Sequence, residues 1–462
     1  MGGRGAGRGA GARARGRAGA GGGGARGGGR GGAGRARAAV GVDLGTTNSG
    51  VAWVEPATGS PRALGGGAVP SAVSFGGEGR AVVGAGARGA GARGLEGTAF
   101  SSVKRLLGRL PKELDNRIFD LVPYEINDED AGAEVQLVLG ERRLAPEAVS
   151  AEVLKELKRR AEADLGEEVT SAVIAVPARF GAPQKAATRR AFELAGLSVL
   201  RVIAEPAAAA LAYGFGREEQ EVVCVVDLGG GTLDVSVLQV GGGVCEVLSS
   251  GGDDFLGGDD YDACIVDWVL RRLGEGPGTR AQLDPAALHR LQEAAEAAKN
   301  RLSTAPVAAL DLPGLLPAAG ADLKSCVSFR GELGRAEFQN MTRPLTDRVK
   351  SCILEVTADV RDAQGEPVTL QEMGVVLVGG GTQMPAVRDL VWEVFGREPP
   401  AGEGVDPSEA VALGAALGAA VIEGTVQRTE AVLLDETPDV EDLNVLANKL
   451  LELLGDELPD EA

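Results

Sequence analysis

Residues 226–234 read Val-Asp-Leu-Gly-Gly-Gly-Thr-Leu-Asp, and residues 42–49 read Val-Asp-Leu-Gly-Thr-Thr-Asn-Ser. Each stretch ends an apolar run with an acidic side chain, Asp227 or Asp43, and continues into backbone amides that bulky side chains leave free. A carboxylate suits a hydrated cation, and free amides suit phosphate oxygens. The two Asp-Leu-Gly copies stand 184 residues apart. This spacing predicts two related half-domains that close on one magnesium–triphosphate.

A third glycine loop, Gly379-Gly380-Gly381-Thr382, follows another apolar run and opens a helix. Amides at a helix start could meet the nucleoside or its first phosphate. The phosphate-binding sequence G-x-x-x-x-G-K-[ST] does not occur in the chain. One Asp-Leu-Gly alone could be an ordinary turn at the end of a strand, but the three loops together favour a nucleotide site.

The composition is acidic, with a formal net charge of −19 over 462 residues, a length sufficient for two domains. Residues 1–38 hold nine arginines and no acidic residue, which leaves 38 basic against 66 acidic residues in the remainder. Such an acidic body argues against a general nucleic-acid groove. No apolar run reaches the ~18 residues of a membrane span, so we expect no membrane contact.

The first 38 residues are almost only Gly, Ala and Arg, and this composition predicts a disordered extension. Three interpretations remain open. An Arg-rich, acid-free segment fits an organelle transit peptide, although no Ser or Thr occurs before Thr46. An arm that contacts RNA is the second, and a low-complexity extension without a function is the third.

Strand-like and helix-like runs alternate along the chain, which indicates an α/β fold with mixed sheets. Residues 76–97 are again rich in Gly, Ala and Arg and predict a mobile surface stretch. Predicted strands lie at 173–176, 199–203, 222–226, 235–240 and 374–378. Predicted helices lie at 146–165, 184–195, 263–273 and 286–302, with one more from Pro385.

The motifs together resemble the nucleotide-binding domain of the heat-shock protein 70 chaperone family, within the actin-like and sugar-kinase superfold. The resemblance runs from about residue 39 to 438, and residues 235–268 most resemble plastid and cyanobacterial members. The matching stretches are 42–49, 98–109 (TAFSSVKRLLGR), 172–180 (AVIAVPARF), 200–214 (LRVIAEPAAAALAYG), 226–238, 251–262 (GGDDFLGGDDYD), 293–303 and 375–424.

The resemblance implies an actin-like ATPase fold with two lobes, each a mixed β-sheet with flanking helices, and a nucleotide in the central cleft. Lobe I would span about 39–215 plus 403–425, and lobe II about 216–402. A hydrophobic interdomain-type linker would follow at 426–438. An acidic tail with a short amphipathic helix would end the chain at 439–462.

The resemblance also assigns roles, with ATP or ADP and magnesium as cofactors. Lys104 would position the attacking water, aided by Thr232. Asp43 and Asp227 would hold magnesium through water, with Glu205 behind them. The implied phosphate contacts are Gly45, Thr46, Thr47, Asn48, Gly229, Gly230, Gly231 and Thr232. The implied nucleoside contacts are Glu296, Lys299, Ser303, Gly379, Gly380, Gly381, Gln383 and Ser408.

Some of these residues also have plainer interpretations. Lys104 alone could be a solvated surface lysine, and Glu296 with Lys299, spaced i and i+3, could be a surface ion pair. Asp234 is a further candidate for ordering water or an ion, and potassium is a further expected cofactor.

Several positions depart from the family pattern. Gln383 stands where an arginine usually stacks on adenine, and Asn300 stands on the other side of that pocket. Ser408 interrupts the family's Asn-Pro-Asp-Glu, and residues 178–182 read Ala-Arg-Phe-Gly-Ala in place of Ala-Tyr-Phe-Asn-Asp. Loss of a cation–π stack worth ~0.5–2 kcal/mol predicts weaker nucleotide binding, by roughly two- to thirty-fold.

The expected function is a slow, ATP-hydrolysing, heat-shock protein 70-like chaperone that lacks the client-binding domain, because only 24 residues follow Pro438. The alternative is a non-catalytic, nucleotide-dependent module, and a small-molecule kinase of the same superfold is a third. J-domain proteins and nucleotide-exchange factors are the expected partners, with no client clamp and no nucleic acid except through the Arg/Gly arm. The expected location is a plastid, with the mitochondrion or cytoplasm as alternatives.

Overall fold

The computed structural model describes residues 37–76, 80–88, 99–122, 124–127, 134–214, 220–241, 244–274, 283, 285–317, 326–362, 364–397 and 405–425. The predicted linker and acidic tail lie outside these residues, as does the predicted extension up to residue 36. The first strand begins at Arg37, two residues inside that predicted extension.

The described residues form strands and helices in alternation. The strands are β1 Arg37–Asp43, β2 Asn48–Val54, β3 Pro61–Ala63, β4 Val69–Pro70, β5 Val73–Phe75, β6 Ala81–Val83, β7 Ile126–Asn127, β8 Gln136–Leu139, β9 Arg142–Leu144, β10 Glu168–Val176, β11 Ser198–Ala204, β12 Glu221–Leu228, β13 Leu233–Gly241, β14 Val244–Asp253, β15 Val307–Pro317, β16 Cys326–Gly334 and β17 Gly374–Val378. The helices are α1 Ala85–Arg88, α2 Arg117–Leu121, α3 Pro146–Leu165, α4 Ala182–Leu194, α5 Glu205–Ala212, α6 Gly258–Arg272, α7 Pro285–Thr304, α8 Arg335–Thr357, α9 Pro385–Phe395 and α10 Ala410–Glu423.

Two mixed sheets repeat one pattern. The first has the order β11-β10-β1-β2-β3, with β1 parallel to β10 and antiparallel to β2. The second has the order β14-β13-β12-β17, with β12 parallel to β17 and antiparallel to β13. In each sheet a central strand therefore leads into an antiparallel hairpin and pairs on its other side with a parallel strand. This repetition is what the doubled Asp-Leu-Gly predicts.

Two alanine-rich helices, α5 and α10, lie between the sheets. Their buried side chains share one apolar cluster with residues of both sheets, among them Val173 of β10 and Val225 of β12. The helices approach each other closely, because a β-carbon on Gly414 would lie 2.8 Å from the Cα of Ala208. Small side chains thus allow α5 and α10 to pack closely against each other between the two sheets.

Most predicted elements are present with longer bounds. Helix α3 covers the predicted range, β10 begins at Glu168, five residues before the predicted strand, and α6 begins at Gly258, also five residues early. The interpretation of 76–97 as a mobile surface stretch is wrong for residues 81–88. There β6 pairs with β5, and Ala87 of α1 is fully buried.

Helix α10 is apolar but only 14 residues long, and it is largely buried. Of the helices that the structure describes, none has the length and apolar character needed to cross a bilayer.

Candidate nucleotide site

The two Asp-Leu-Gly stretches occupy corresponding places in the two sheets. Asp43 is the last residue of β1 and pairs with Gly50 of β2, whereas Asp227 of β12 pairs with Asp234 of β13. In each hairpin the paired residue therefore lies seven positions after the aspartate. The second hairpin differs in carrying an additional carboxylate, Asp234, where the first has a glycine.

Burial and mutual repulsion affect the two aspartates. Each residue is only partly accessible to solvent. Burial raises the pKa of Asp43, and Lys104 only partly offsets it. The pKa of Asp227 lies well above its usual value, because burial is reinforced by the charges of Glu205, Asp234 and Asp43. Close carboxylates of this kind are stabilised by a bound cation.

Lys104 and Glu205 form an ion pair close to these carboxylates. Lys104 Nζ lies 2.5 Å from Glu205 Oε1, and both side chains are about nine-tenths buried. Glu205 opens α5 directly after β11, which brings its carboxylate to the cleft. Burial raises its pKa to about 7, with Lys104 opposing the rise. The surface-lysine interpretation of Lys104 is therefore wrong.

Burial lowers the pKa of Lys104, but the charges of Glu205, Asp43 and Asp227 outweigh this effect and hold the pKa above its usual value. The ammonium group is thus charged at neutral pH and lies close to both candidate magnesium ligands.

The first two glycine loops pack against each other. A β-carbon on Gly230 would lie 2.6 Å from Thr47 Cβ, so only glycine permits this approach. Within the second loop the Gly229 amide donates to the Thr232 carbonyl at 2.9 Å. In the first loop the Ser71 hydroxyl donates to the Gly45 carbonyl at 2.8 Å, and Asn48 is exposed at the start of β2.

The third glycine loop reaches the second aspartate. Gly379 has a φ of +80°, and a β-carbon there would lie 2.6 Å from Asp227 Oδ1. Its amide donates to the Pro407 carbonyl at 3.0 Å, and the Thr382 hydroxyl caps the turn by donating to the Gly379 carbonyl. A β-carbon on Gly381 would clash with Leu228, whereas one on Gly380 would meet nothing within 4 Å. All three loops therefore converge around Asp227.

An open cavity of about 320 Å³ adjoins these loops. It is a space of the size that small-molecule ligands use. Its polar lining includes residues from both sheets, namely Thr46, Lys104, Arg105, Arg179, Glu205, Thr232, Asp234 and Asp254.

The residues expected at the nucleoside are arranged differently. Lys299 of α7 is buried, with Nζ 2.7 Å from Asp262 Oδ2 and 3.0 Å from the Gly258 carbonyl. This burial excludes Lys299 from a surface ion pair. Burial raises the pKa of Asp262 to about 7, with Lys299 opposing the rise. Ser303 donates to the Lys299 carbonyl at 3.5 Å, and Glu296 is half-buried on the same helix.

Three of the departures from the family pattern lie at the surface. Gln383, Asn300 and Ser408 are all exposed. Gln383 Nε2 lies 3.5 Å from Asp406 Oδ1, and the Ser408 hydroxyl donates to the same oxygen at 2.7 Å. Ser408 thus caps a local turn around Asp406.

Several residues that contact the predicted site residues were not identified from the sequence. Arg105 donates to the carbonyls of Gly231 and Asp254 and so ties the second loop to the segment before α6. Its position directly after Lys104 was the available signal. Asp262 and Asp254 both fall within the quoted stretch 251–262, but their partners are distant in sequence, so no local pattern reveals them.

The residues present fit magnesium. Mg²⁺ prefers oxygen ligands, takes one or two carboxylates and keeps several waters. Asp43 and Asp227 supply two such carboxylates, and burial, the main cause of their raised pKa values, is a cost that a bound cation would offset. The adjoining amides of the glycine loops suit phosphate oxygens.

Two related sheets each carry a glycine loop beside a buried aspartate, and a third glycine loop adjoins the second of them. This arrangement defines a two-lobed, nucleotide-binding protein of the actin-like type. The sequence profile of the Hsp70 protein family matches residues 39–455, and the chain belongs to this family.

Individual relatives support the assignment to this family. The chain is 42% identical over 404 residues to the chaperone protein DnaK of Deinococcus deserti, covering 87% of this chain and 62% of the relative. The DnaK of Deinococcus radiodurans gives the same values. The chloroplastic heat shock 70 kDa protein 6 of Arabidopsis thaliana is 42% identical over 403 residues, covering 86% of this chain and 54% of the relative. The chain therefore spans about three-fifths of the length of the DnaK relatives it matches.

Proposed function

We propose that this chain is the ATP-hydrolysing engine of an Hsp70-like chaperone. The observation that carries the proposal is the buried Lys104–Glu205 ion pair, 2.5 Å long, whose ammonium group interacts electrostatically with the aspartates of the two Asp-Leu-Gly loops. Family membership supports ATP as the nucleotide. In the reaction, a water oxygen bonds to the terminal phosphorus and the bond to the bridging oxygen breaks, which yields ADP and phosphate.

The chain's own residues would supply position and charge. Glu205 holds the Lys104 ammonium in place, and that ammonium would orient the attacking water and offset charge on the transferred group. Amides of residues 45–47, 230 and 231 would hold phosphate oxygens, and Thr232 lines the cavity that adjoins these loops. Asp43 and Asp227 would hold hydrated magnesium, which supplies charge neutralisation to the phosphates.

The test is magnesium-dependent ATP turnover by the purified chain and its Lys104→Ala variant. Removing one preorganised donor to developing charge costs on the order of 10²–10³ in rate, so we expect turnover to fall by about that factor. Lys155→Ala is the matched control, because Lys155 pairs with Glu152 at 2.8 Å on the solvent-accessible face of α3. Turnover that is absent in the parent chain, or equal in the Lys104 variant, refutes the proposal.

The second candidate is a nucleotide-dependent module without useful turnover. Exposed Gln383 and the engagement of Lys299 by Asp262 favour it, since both reduce the contacts open to a nucleoside. Calorimetric ATP binding together with single-turnover hydrolysis near the uncatalysed rate is the result that selects this candidate.

J-domain proteins and exchange factors are the proposed partners, and a plastid is the proposed location. The similarity to a chloroplastic relative supports the location, and family membership supports the partners. Turnover measured with and without a J-domain protein tests the first, and imaging of a tagged chain tests the second.

A further inference from the structure

Arg179 carries the feature that the proposed function does not use. It follows β10, in the stretch 178–182 where the chain departs from its family. Its guanidinium reaches the second sheet, with Nε and Nη2 at 3.1 and 3.0 Å from Asp234 Oδ1. Nη2 also lies 2.6 Å from Asp254 Oδ1. One side chain from the first sheet thus pairs with two carboxylates from the second.

The pair lies in the nucleotide site. Arg179 and Asp234 line the same 320 Å³ cavity as Lys104 and Glu205. Asp234 also faces Asp227 across the β12–β13 hairpin, and its charge is one of those that raise the pKa of Asp227. A positive charge at Asp234 therefore offsets part of the repulsion that acts on Asp227, a candidate magnesium ligand.

The backbone leaves space for the guanidinium. Gly252 of β14 has a φ of +152°, and a β-carbon there would lie 3.2 Å from Arg179 Nη2. The arginine side chain is 33% accessible, so solvent screens its charge in part. Burial lowers the pKa of Arg179, but the charges of Asp234 and Asp254 outweigh it, so the pKa is raised and the group stays charged.

Potassium, expected from the sequence, is disfavoured at Asp234, because Arg179 donates two N–H groups to Oδ1 and places its positive charge there. A guanidinium is permanently charged and weakly hydrated, so it can replace a small cation without exchanging with solvent. Building on the proposed function, we infer that Arg179 is a built-in cation for Asp234, which makes the site independent of monovalent ions. Arg179 is a positioning residue in this arrangement, since it acts through Asp234.

The test compares the parent chain with Arg179→Gln and Arg179→Lys in potassium chloride and in choline chloride at equal ionic strength. ATP affinity by calorimetry and single-turnover rate are measured in each salt. We expect the parent to differ by less than about twofold between salts. We expect Arg179→Gln to gain at least about tenfold in affinity from potassium, roughly 1.4 kcal/mol. Arg179→Lys keeps a charge and should restore part of the independence.

A readout without nucleotide separates this inference from the proposed function. Ligand that binds only the folded state raises the melting temperature. Potassium should therefore raise the melting temperature of nucleotide-free Arg179→Gln above its value in choline, and leave the parent unchanged. This comparison decides the inference even if the parent neither binds nor hydrolyses ATP, a result that refutes only the proposed function.

Arg330→Gln is the matched control, because Arg330 pairs with Asp311 at 2.6 Å on an exposed hairpin outside the site. It should match the parent in both salts. A parent chain that loses tenfold or more in choline, or an Arg179→Gln variant as indifferent to the salt as the parent, overturns the inference.

Discussion

The candidate site has a phosphate end, around Lys104 and Glu205, and a base end, around Lys299 and Asp262. The two ends use their charged residues differently. At the phosphate end, Lys104 and Glu205 border an open cavity of about 320 Å³. At the base end, Lys299 is bound to Asp262, and the cavity it lines with Ser303 holds about 10 Å³, which is room for about one water. Both lysines are ion-paired, but the pair at the phosphate end adjoins space for a ligand, whereas the pair at the base end is enclosed and stabilises the fold.

The largest expected effect tests this contrast at the base end through stability. Lys299→Met would leave Asp262 as a buried carboxylate without its cation. Breaking a buried pair typically costs about 3–5 kcal/mol, and we expect a loss of that order in urea unfolding without nucleotide.

Lys350→Met is the control for that change. Lys350 pairs with Glu393 at the same 2.7 Å distance, but both side chains are exposed. Exposed pairs contribute about 0–1 kcal/mol. Equal destabilisation by the two variants would show that Lys299 is no more structural than a surface lysine.

The next effect tests the phosphate end through ligand binding. Asp227→Asn removes one candidate magnesium ligand, and we expect magnesium–ATP affinity to fall about a hundredfold, roughly 2.7 kcal/mol. The apo protein should be as stable as the parent or more stable, because the variant relieves repulsion among Asp227, Glu205 and Asp43. Calorimetry and urea unfolding measure the two quantities.

Asp311→Asn serves as the control, since Asp311 is an exposed aspartate that pairs with Arg330 away from the loops. A fall in apo stability with unchanged affinity would reverse the assignment of Asp227.

Local sequence signals were sufficient for the framework of this site. The loops at 42–49, 226–234 and 379–382 could be predicted because an apolar run followed by glycine fixes a strand and its turn within a few residues. Helix α3 was predicted with its bounds for a similar reason, since its apolar residues recur with helical spacing and Pro146 and Gly166 mark its ends.

The other contacts of the site join residues that are far apart in the sequence, and no local sequence pattern indicates them. Lys299 binds a residue 37 positions away, and Arg179 binds residues 55 and 75 positions away. Periodicity carries no information about such pairs. Residues 81–88 were misjudged because their Gly/Ala/Arg composition concealed a strand that depends on pairing with β5.

A smaller effect is expected from the contact between the two phosphate loops. Gly230→Ala would bring a β-carbon within 2.6 Å of Thr47 Cβ, so the loops must separate. Such crowding costs about 1–3 kcal/mol, and we expect ATP affinity to fall roughly tenfold. Gly50→Ala is the control, because its β-carbon would meet only Ala412 Cβ at 3.5 Å. Equal affinities for the two variants would show that close approach of the loops is not needed for binding.

The smallest effect tests whether the base end can be strengthened. Gln383→Arg would place a planar cation at an exposed position after the third glycine loop, where it can stack on a base. A cation–π contact of about 0.5–2 kcal/mol predicts ATP affinity two- to thirty-fold higher. Gln383→Lys adds the same charge without the planar group, so it should gain less. Equal gains from both variants would assign the effect to charge alone, and no gain from either would mean that the base does not reach residue 383. Since neither variant touches the phosphate loops, single-turnover rates at saturating ATP should stay within about twofold of the parent, which confines the change to binding.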